Sequence, residues 1–260
     1  MYNKNMEVNI FLENLKNKVY GRNLKIFESL ESTNTKMIED LNNGIKLEEG
    51  SVYIALKQTA GKGTHGNKWV SNNDLGLWFS VLVYTPFKKE ALSFLPGIAL
   101  SKCLREKYNV NAHVKWPNDV LVKNRKISGT LIQVTPIENR NACIIGTGVN
   151  LYHTKEDFPS DIEHKATSLY METNLKIELS EFYKELITSF EEVYTSEKKL
   201  SEYFREYSNM IGRVVKAKKD GEEITALVKD ITEEGYLIVE VNKKEETWIS
   251  RASLDIDTNY

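Results

Sequence analysis

Between residues 51 and 151 the chain repeats one pattern: a short run of Val, Ile and aromatic residues, closed off by Gly, Asn or Pro. The runs occupy 51–58, 76–84, 112–116, 120–123, 127–135 and 143–151. Runs of this length and composition read as strands, and that many in one span can bury their apolar faces only as a sheet. Within residues 92–108, Leu95, Ile98, Ala99 and Cys103 recur at helical spacing, with Pro96 tolerable only in a first turn. One helix therefore packs on a mixed sheet.

The rest of the chain changes character. No glycine occurs between Gly148 and Gly212, and inside that interval Phe182, Leu186, Phe190 and Val193 form a helical stripe with Ser180 as its expected N-cap. A shorter helix follows, striped by Leu200, Tyr203, Phe204 and Tyr207. From Gly212 the signals are hairpins, with turns at Asp220-Gly221 and Glu234-Gly235. A small β-barrel of ~45 residues is the economical reading, and at that size it must dock on a larger body to be stable. Residues 1–23 offer one short helix, with Ile10, Leu12 and Leu15 as its stripe, and no room for a helix-turn-helix unit. The expected division is an N-terminal extension over 1–22, a catalytic domain over 23–211 and a barrel over 212–260.

Composition removes several classes of function. Lys plus Arg is 35 and Asp plus Glu is 37, so a nucleic-acid footprint would have to be a local patch, and none stands out. The longest stretch without a charged residue, 141–154, is short of the ~20 apolar residues that span a bilayer. Two cysteines and an N-terminus without an apolar signal core point away from secretion, which makes the cytoplasm the expected location.

Two segments carry the chemistry. Gly61, Gly63 and Gly66 fall within the sequence QTAGKGTHGNKW, directly after a strand, where backbone N–H groups can converge on an anion. The same stretch can equally be an ordinary hairpin loop. It is not a nucleotide P-loop, because Asn67 stands where the Lys should follow Gly66. Nor is it a dinucleotide fingerprint, since a strand and not a helix comes next. The second segment is VKWPNDVLVKNRKISGTLIQ, where Lys115, Asn118 and Asp119 mark the mouth of an apolar hairpin. Lys126 opens the next strand, and Gly129 lets backbone be approached closely. Polar groups around an apolar sheet suggest a ligand with both charged and apolar parts.

The ordered set ESTN (31–34), AGKGTHGNKW (60–69), KWPND (115–119), RKISGTL (125–131) and GTGVN (146–150) resembles biotin protein ligase, over a span from about Asn23 to the C-terminus. The lipoate-attaching relatives share the fold, but their Arg-Arg and Gly-Gly-Gly-Ala motif is absent. The resemblance implies an α+β fold: a mixed β-sheet catalytic domain packed with helices, like class II aminoacyl-tRNA synthetases, plus a C-terminal SH3-like barrel. It implies that ATP and biotin form biotinyl-5′-AMP, with Mg²⁺ accompanying pyrophosphate, and that a lysine of a biotin carboxyl carrier domain then receives the biotinyl group. It is similar to the ligase-only class, so no DNA partner and no membrane partner is implied, and a homodimer is left open.

Position by position, the resemblance makes Lys126 the lysine at the biotin carboxylate and α-phosphate, Asp119 the metal carboxylate, and Lys115 and Lys62 further cations near the phosphates. Asn118 and Asn150 fall at nucleotide positions; Ser32, Thr33 and Gln58 fall at ureido positions, beside Asn34. Gly61, Gly63, Trp69, Gly129, Gly146 and Gly148 complete the biotin pocket. Ser32 and Thr33 also suit a helix N-cap, and Trp78 suits core packing. The glycine-rich loop is expected to order over the adenylate and exclude water. It departs from the family's GRGRxGRxW pattern: Lys62, Thr64 and Asn67 occupy the arginine positions, with His65 and Lys68 the nearest substitutes. Two readings compete with a biotin ligase, a lipoyl or octanoyl ligase and a binding module without turnover.

Overall fold

The computed structural model describes residues 4–84, 92–219 and 222–248. It holds a large sheet of strands β1 (Leu24–Leu30), β2 (Val52–Gln58), β3 (Gly76–Tyr84), β4 (Ala112–Lys115), β5 (Asp119–Val122), β6 (Arg125–Ile137) and β7 (Arg140–Asn150). Their order is β1-β2-β3-β7-β6-β5-β4. Only β1 and β2 run parallel, joined through helix α2 (Thr33–Asn42); the other pairs are antiparallel. Helices α3 (Leu95–Tyr108) and α5 (Leu179–Thr195) cover the opposite face from α2. Pro96 lies in the first turn of α3, where no intrahelical N–H is missed.

The faces follow from strand alternation. Leu77, Phe79, Val81 and Val83 of β3 join the core under α3 and α5, while Leu82 joins Met37 and Leu41 of α2. The α5 stripe of Phe182, Leu186, Phe190 and Val193 is buried. Two expectations need correction. α5 begins at Leu179, with Glu178 as its N-cap and Ser180 inside the first turn, because the apolar face starts earlier than the hydroxyl. In α1 (Lys4–Leu12), Ile10 is exposed; Phe11 and the following Leu15 are the buried residues, with Phe11 against Tyr183 of α5. The segment after α1 is pinned by Glu191, whose carboxylate accepts the backbone N–H groups of Lys18, Val19 and Tyr20.

Helix α4 (Leu169–Thr173) follows the large sheet, and α6 (Leu200–Tyr207) leads into a second sheet. Its strands are β8 (Val214–Lys219), β9 (Glu222–Ile231), β10 (Leu237–Val241) and β11 (Lys244–Trp248). They form an open antiparallel meander rather than a closed barrel among the described residues, in the order β11-β10-β9-β8. The expected Asp220-Gly221 turn lies outside the described residues. Docking is extensive: Val215, Val228, Leu237 and Trp248 belong to the same core as the large sheet. Arg205 of α6 forks onto Asp230 at 2.7 and 3.1 Å, and Trp116 Nε1 donates to Gly235 O at 2.9 Å. No described helix is long and apolar enough to cross a membrane.

His153, just after β7, is fully buried, stacked on Phe158 and edge-on to Trp78. Burial, the largest influence, pushes its pKa down to about 4 from an ordinary 6.5, against weaker pulls from Asp157 and the Leu75 backbone. The unfolded chain therefore takes up a proton below pH 6.5 that the folded chain refuses until about pH 4. Stability from this group is complete above about pH 6.5 and is lost as the pH falls towards about 4, by up to about 3 kcal/mol. Melting curves should show a larger fall in Tm between pH 6.5 and 4.5 for the native chain than for His153→Phe; parallel falls would exclude this origin.

Candidate active site

The turn from β1 into α2 supplies Ser32, Thr33 and Asn34, the end of β2 supplies Gln58, and the neighbouring strands supply a floor. Ser32 is the N-cap residue of α2, yet its hydroxyl makes no capping hydrogen bond. Thr33 N donates to Gln58 Oε1 at 2.9 Å, and Gln58 Nε2 donates to Ser71 Oγ at 3.1 Å. Ser80 Oγ donates to Asn34 Oδ1 at 2.6 Å and contacts Thr33 Oγ1 at 2.7 Å. Asn34 Nδ2 donates to Leu131 O and Gln133 Oε1. This lattice fixes one end of a cleft lined by both polar and apolar groups.

The floor is backbone. Gly129 on β6 and Gly148 on β7 are register partners, as are Leu131 and Gly146. A Cβ at Gly148 would lie 2.4 Å from Trp69 Nε1, and one at Gly146 would lie 2.3 Å from Asn34 Oδ1. Trp69 thus lies against the glycine floor, edge-on to buried Trp78 at 6.3 Å. Lys126 brings its ammonium 5.2 Å from the Trp69 ring centre and 2.7 Å from Asp119 Oδ1. The glycine-rich loop is folded on itself: Lys62 bridges to Lys68, Gly63 N donates to Asn67 O, and Thr64–Gly66 make a single helical turn. The side chain of His65 lies outside the described residues.

The hairpin tip between β4 and β5 is held from several sides. Trp116 N donates to Met210 Sδ, Ser93 Oγ donates to Pro117 O, and Asn118 exchanges two hydrogen bonds with the Thr130 backbone. The Trp116–Pro117 peptide is cis.

Of the residues expected from the sequence, Ser32, Thr33, Asn34, Gln58, Lys62, Gly63, Trp69, Asn118, Lys126, Gly129, Gly146 and Gly148 line this cleft. Four others do not. Lys115, at the end of β4, lines a separate groove with Arg213 beside the second sheet. Gly61 packs against Ser71 and the Trp69 backbone, so its role is to permit that close approach. Asn150 is buried, with its amide on Thr167 O. Asp119 reaches the cleft only through its ion pair with Lys126. Sequence reasoning missed Phe79, Thr130, Leu131 and Thr147 in the lining, and Ser71, Ser80 and Gln133 behind it. Strand register was the available signal, since Phe79, Thr147 and Thr130 are cross-strand partners beside the glycines.

Residues 26–150 match the model of the Biotin/lipoate A/B protein ligase family, and residues 210–250 match that of the Biotin protein ligase C terminal domain. The chain is 29% identical over 238 residues to the Bifunctional ligase/repressor BirA of Bacillus subtilis, covering 88% of this chain and 73% of that protein. It is 26% identical to the Biotin--[acetyl-CoA-carboxylase] ligase of Mycobacterium tuberculosis, covering 85% of this chain and 84% of the relative. The solved biotin protein ligase from Aquifex aeolicus, in complex with biotin and ATP, shares the fold at a TM-score of 0.76 and 23% identity, over 91% of this chain and 99% of that one. One matched region carries the cleft strands and the other the docked second sheet, and on these grounds the chain belongs to the biotin/lipoate A/B protein ligase family, among its biotin protein ligases.

Proposed function

We propose that the cleft joins the carboxylate of biotin to the α-phosphate of ATP and then passes the biotinyl group to a lysine of a carrier domain. In the first step a carboxylate oxygen bonds to the α-phosphorus and the bond to pyrophosphate breaks. In the second, the neutral amine of the carrier lysine attacks the acyl carbon, AMP leaves with the phosphate oxygen, and the amine loses a proton. The observation that carries this reading is the placement of Lys126. Its ammonium sits over the glycine floor beside Trp69, in a cleft whose other end is a lattice of hydroxyl and amide groups.

Two anions brought to ~4 Å repel by about 4 kcal/mol per charge pair at an effective dielectric of 20. Lys126 and Lys62 are the cations of the cleft lining that oppose this. Ser32, Thr33 and Gln58 suit a ureido ring, which offers one acceptor and two donors, and such buried partners reject analogues that lack them. Asn118 suits the nucleotide; Asn150 supports the segment at Thr167 and does not reach the cleft. Mg²⁺ takes one or two carboxylates and fills its octahedron with phosphate oxygens and water. Asp119, whose carboxylate lies 2.7 Å from the Lys126 ammonium, is the carboxylate that would hold the ion. When bound, the ion would neutralise phosphate charge. We also assign Asp119, paired with Lys126, the role of accepting the proton of the attacking amine.

The test is incubation of the chain with biotin, Mg-ATP and a biotin carboxyl carrier domain, followed by intact mass measurement of the carrier. One added biotinyl group per carrier is expected, with biotin-dependent ATP–pyrophosphate exchange. Exchange supported by lipoate or octanoate instead of biotin would move the chain to the lipoyl branch. Tight biotin binding without exchange would make it a binding module.

A further inference from the structure

Lys126 reaches the cleft because the β5–β6 ladder is irregular beside it. Asp119 pairs with Gly129 and Val120 with Ser128, but Leu121 pairs with Lys126, so Ile127 is an extra residue. Such a bulge re-aims the neighbouring side chains. Here it leaves Lys126 Nζ 3.0 Å from the point that a Cβ on Gly129 would occupy. The bulge lies just after a tight turn, in which Lys123 and Asn124 both take the left-handed conformation.

A distant segment braces that turn. Lys126 N donates to Lys165 O at 2.7 Å, and Thr167 N donates to Lys126 O at 2.9 Å. Beside this strap, three side chains converge on the carboxylate of Glu172 in α4. Arg125 Nη2 and Thr167 Oγ1 donate to its Oε1 at 2.6 and 2.7 Å, and Lys123 Nζ lies 3.0 Å from its Oε2. The Glu172 side chain is only 2% exposed. Burial alone would raise its pKa, but Thr167, Lys123 and Arg125 together hold the carboxyl below the usual range. It is therefore an anion at neutral pH, and it does not line the cleft.

We propose that Glu172 is a positioning residue for adenylate formation: by clamping Lys123, Arg125 and Thr167 it fixes the bulge that aims Lys126 at the carboxylate–phosphate junction. This rests on the ligase reading above. A catalytic cation displaced by an ångström loses rate, whereas a cluster that serves stability alone would weaken every property of the protein together.

The experiment compares the full chain with Glu172→Gln and Arg125→Met. In biotin-dependent ATP–pyrophosphate exchange, kcat should fall about 10- to 100-fold in each variant. KM for biotin, and the rate of transfer from supplied biotinyl-5′-AMP to the carrier, should stay within about 3-fold. The double variant should lose no more than the worse single one, because both remove the same clamp. If Glu172→Gln does not fold, Arg125→Met carries the test, since it leaves Lys123 and Thr167 on the carboxylate. Unchanged kcat, or a parallel decline of kcat, KM, transfer and Tm, overturns the proposal. A native chain without biotin-dependent exchange overturns both the proposal and the reading beneath it.

Discussion

Lys126→Met lowers kcat/KM for biotin-dependent ATP–pyrophosphate exchange by about 10²- to 10³-fold, the loss typical of removing one preorganised group that stabilises transition-state charge. The physical need is specific. Carboxylate and triphosphate both arrive as anions, and negative charge builds on the bridging oxygen as pyrophosphate departs. Lys62 is exposed and donates to Thr35 Oγ1 at 3.3 Å; on the proposed reading it would draw the phosphates in rather than stand at the junction. Stability should hardly change: Lys126 is 36% exposed, and its pair with Asp119 is partly screened by solvent, worth at most about 1 kcal/mol. The expected Tm shift is thus within about 4 °C. Lys126→Arg should recover part of the rate, because the charge returns with a different reach and geometry. Exchange at the native rate in Lys126→Met would remove the central cation from the mechanism.

What the sequence could and could not reveal follows from the range of the interactions. β3 coincides with its expected run, 76–84, because its residues are almost all buried on both faces and leave an unbroken apolar signal. β1 escaped detection because it is an edge strand, largely accessible, whose apolar residues are interrupted by Lys25, Glu28 and Ser29. The glycines of the floor were legible, since only a missing side chain lets Trp69 and Asn34 come so close. The lattice behind them was not, because Ser80 and Gln133 meet Asn34 only through sheet register, 46 and 99 residues away along the chain. Lys115 shows the opposite limit. It stands in a motif with Asp119 and is its register partner across the β4–β5 turn, on the same face of the sheet, yet its long side chain lines a neighbouring groove with Arg213, a direction that adjacency in sequence does not set. The same long range hides Glu172, which is 47 residues from Arg125.

Gly146→Val costs the protein both its biotin site and part of its stability. The added Cβ would lie 2.3 Å from Asn34 Oδ1 and 2.8 Å from Asn34 Cγ. A flexible side chain could swing aside, but Asn34 is 3% exposed and its amide accepts from Ser80 and donates to Leu131 O and Gln133 Oε1. Displacing it breaks three hydrogen bonds, one buried and two partly buried, of roughly 1 kcal/mol each, before any strain from the two further methyl groups. A total of about 2 to 4 kcal/mol, or a Tm drop of roughly 5 to 12 °C, is expected. Because Asn34 belongs to the first turn of α2, its displacement also moves Ser32 and Thr33, so biotin affinity measured by calorimetry should fall at least about tenfold, or about 1.4 kcal/mol. Asn34→Ala combined with Gly146→Ala separates the collision from other causes. With the amide gone, the new Cβ has room, and the pair should lose less stability than the two single changes summed. Strict additivity, or a Gly146→Ala variant that binds and melts like the native chain, would show that Asn34 yields without cost and that the floor tolerates a side chain at this point.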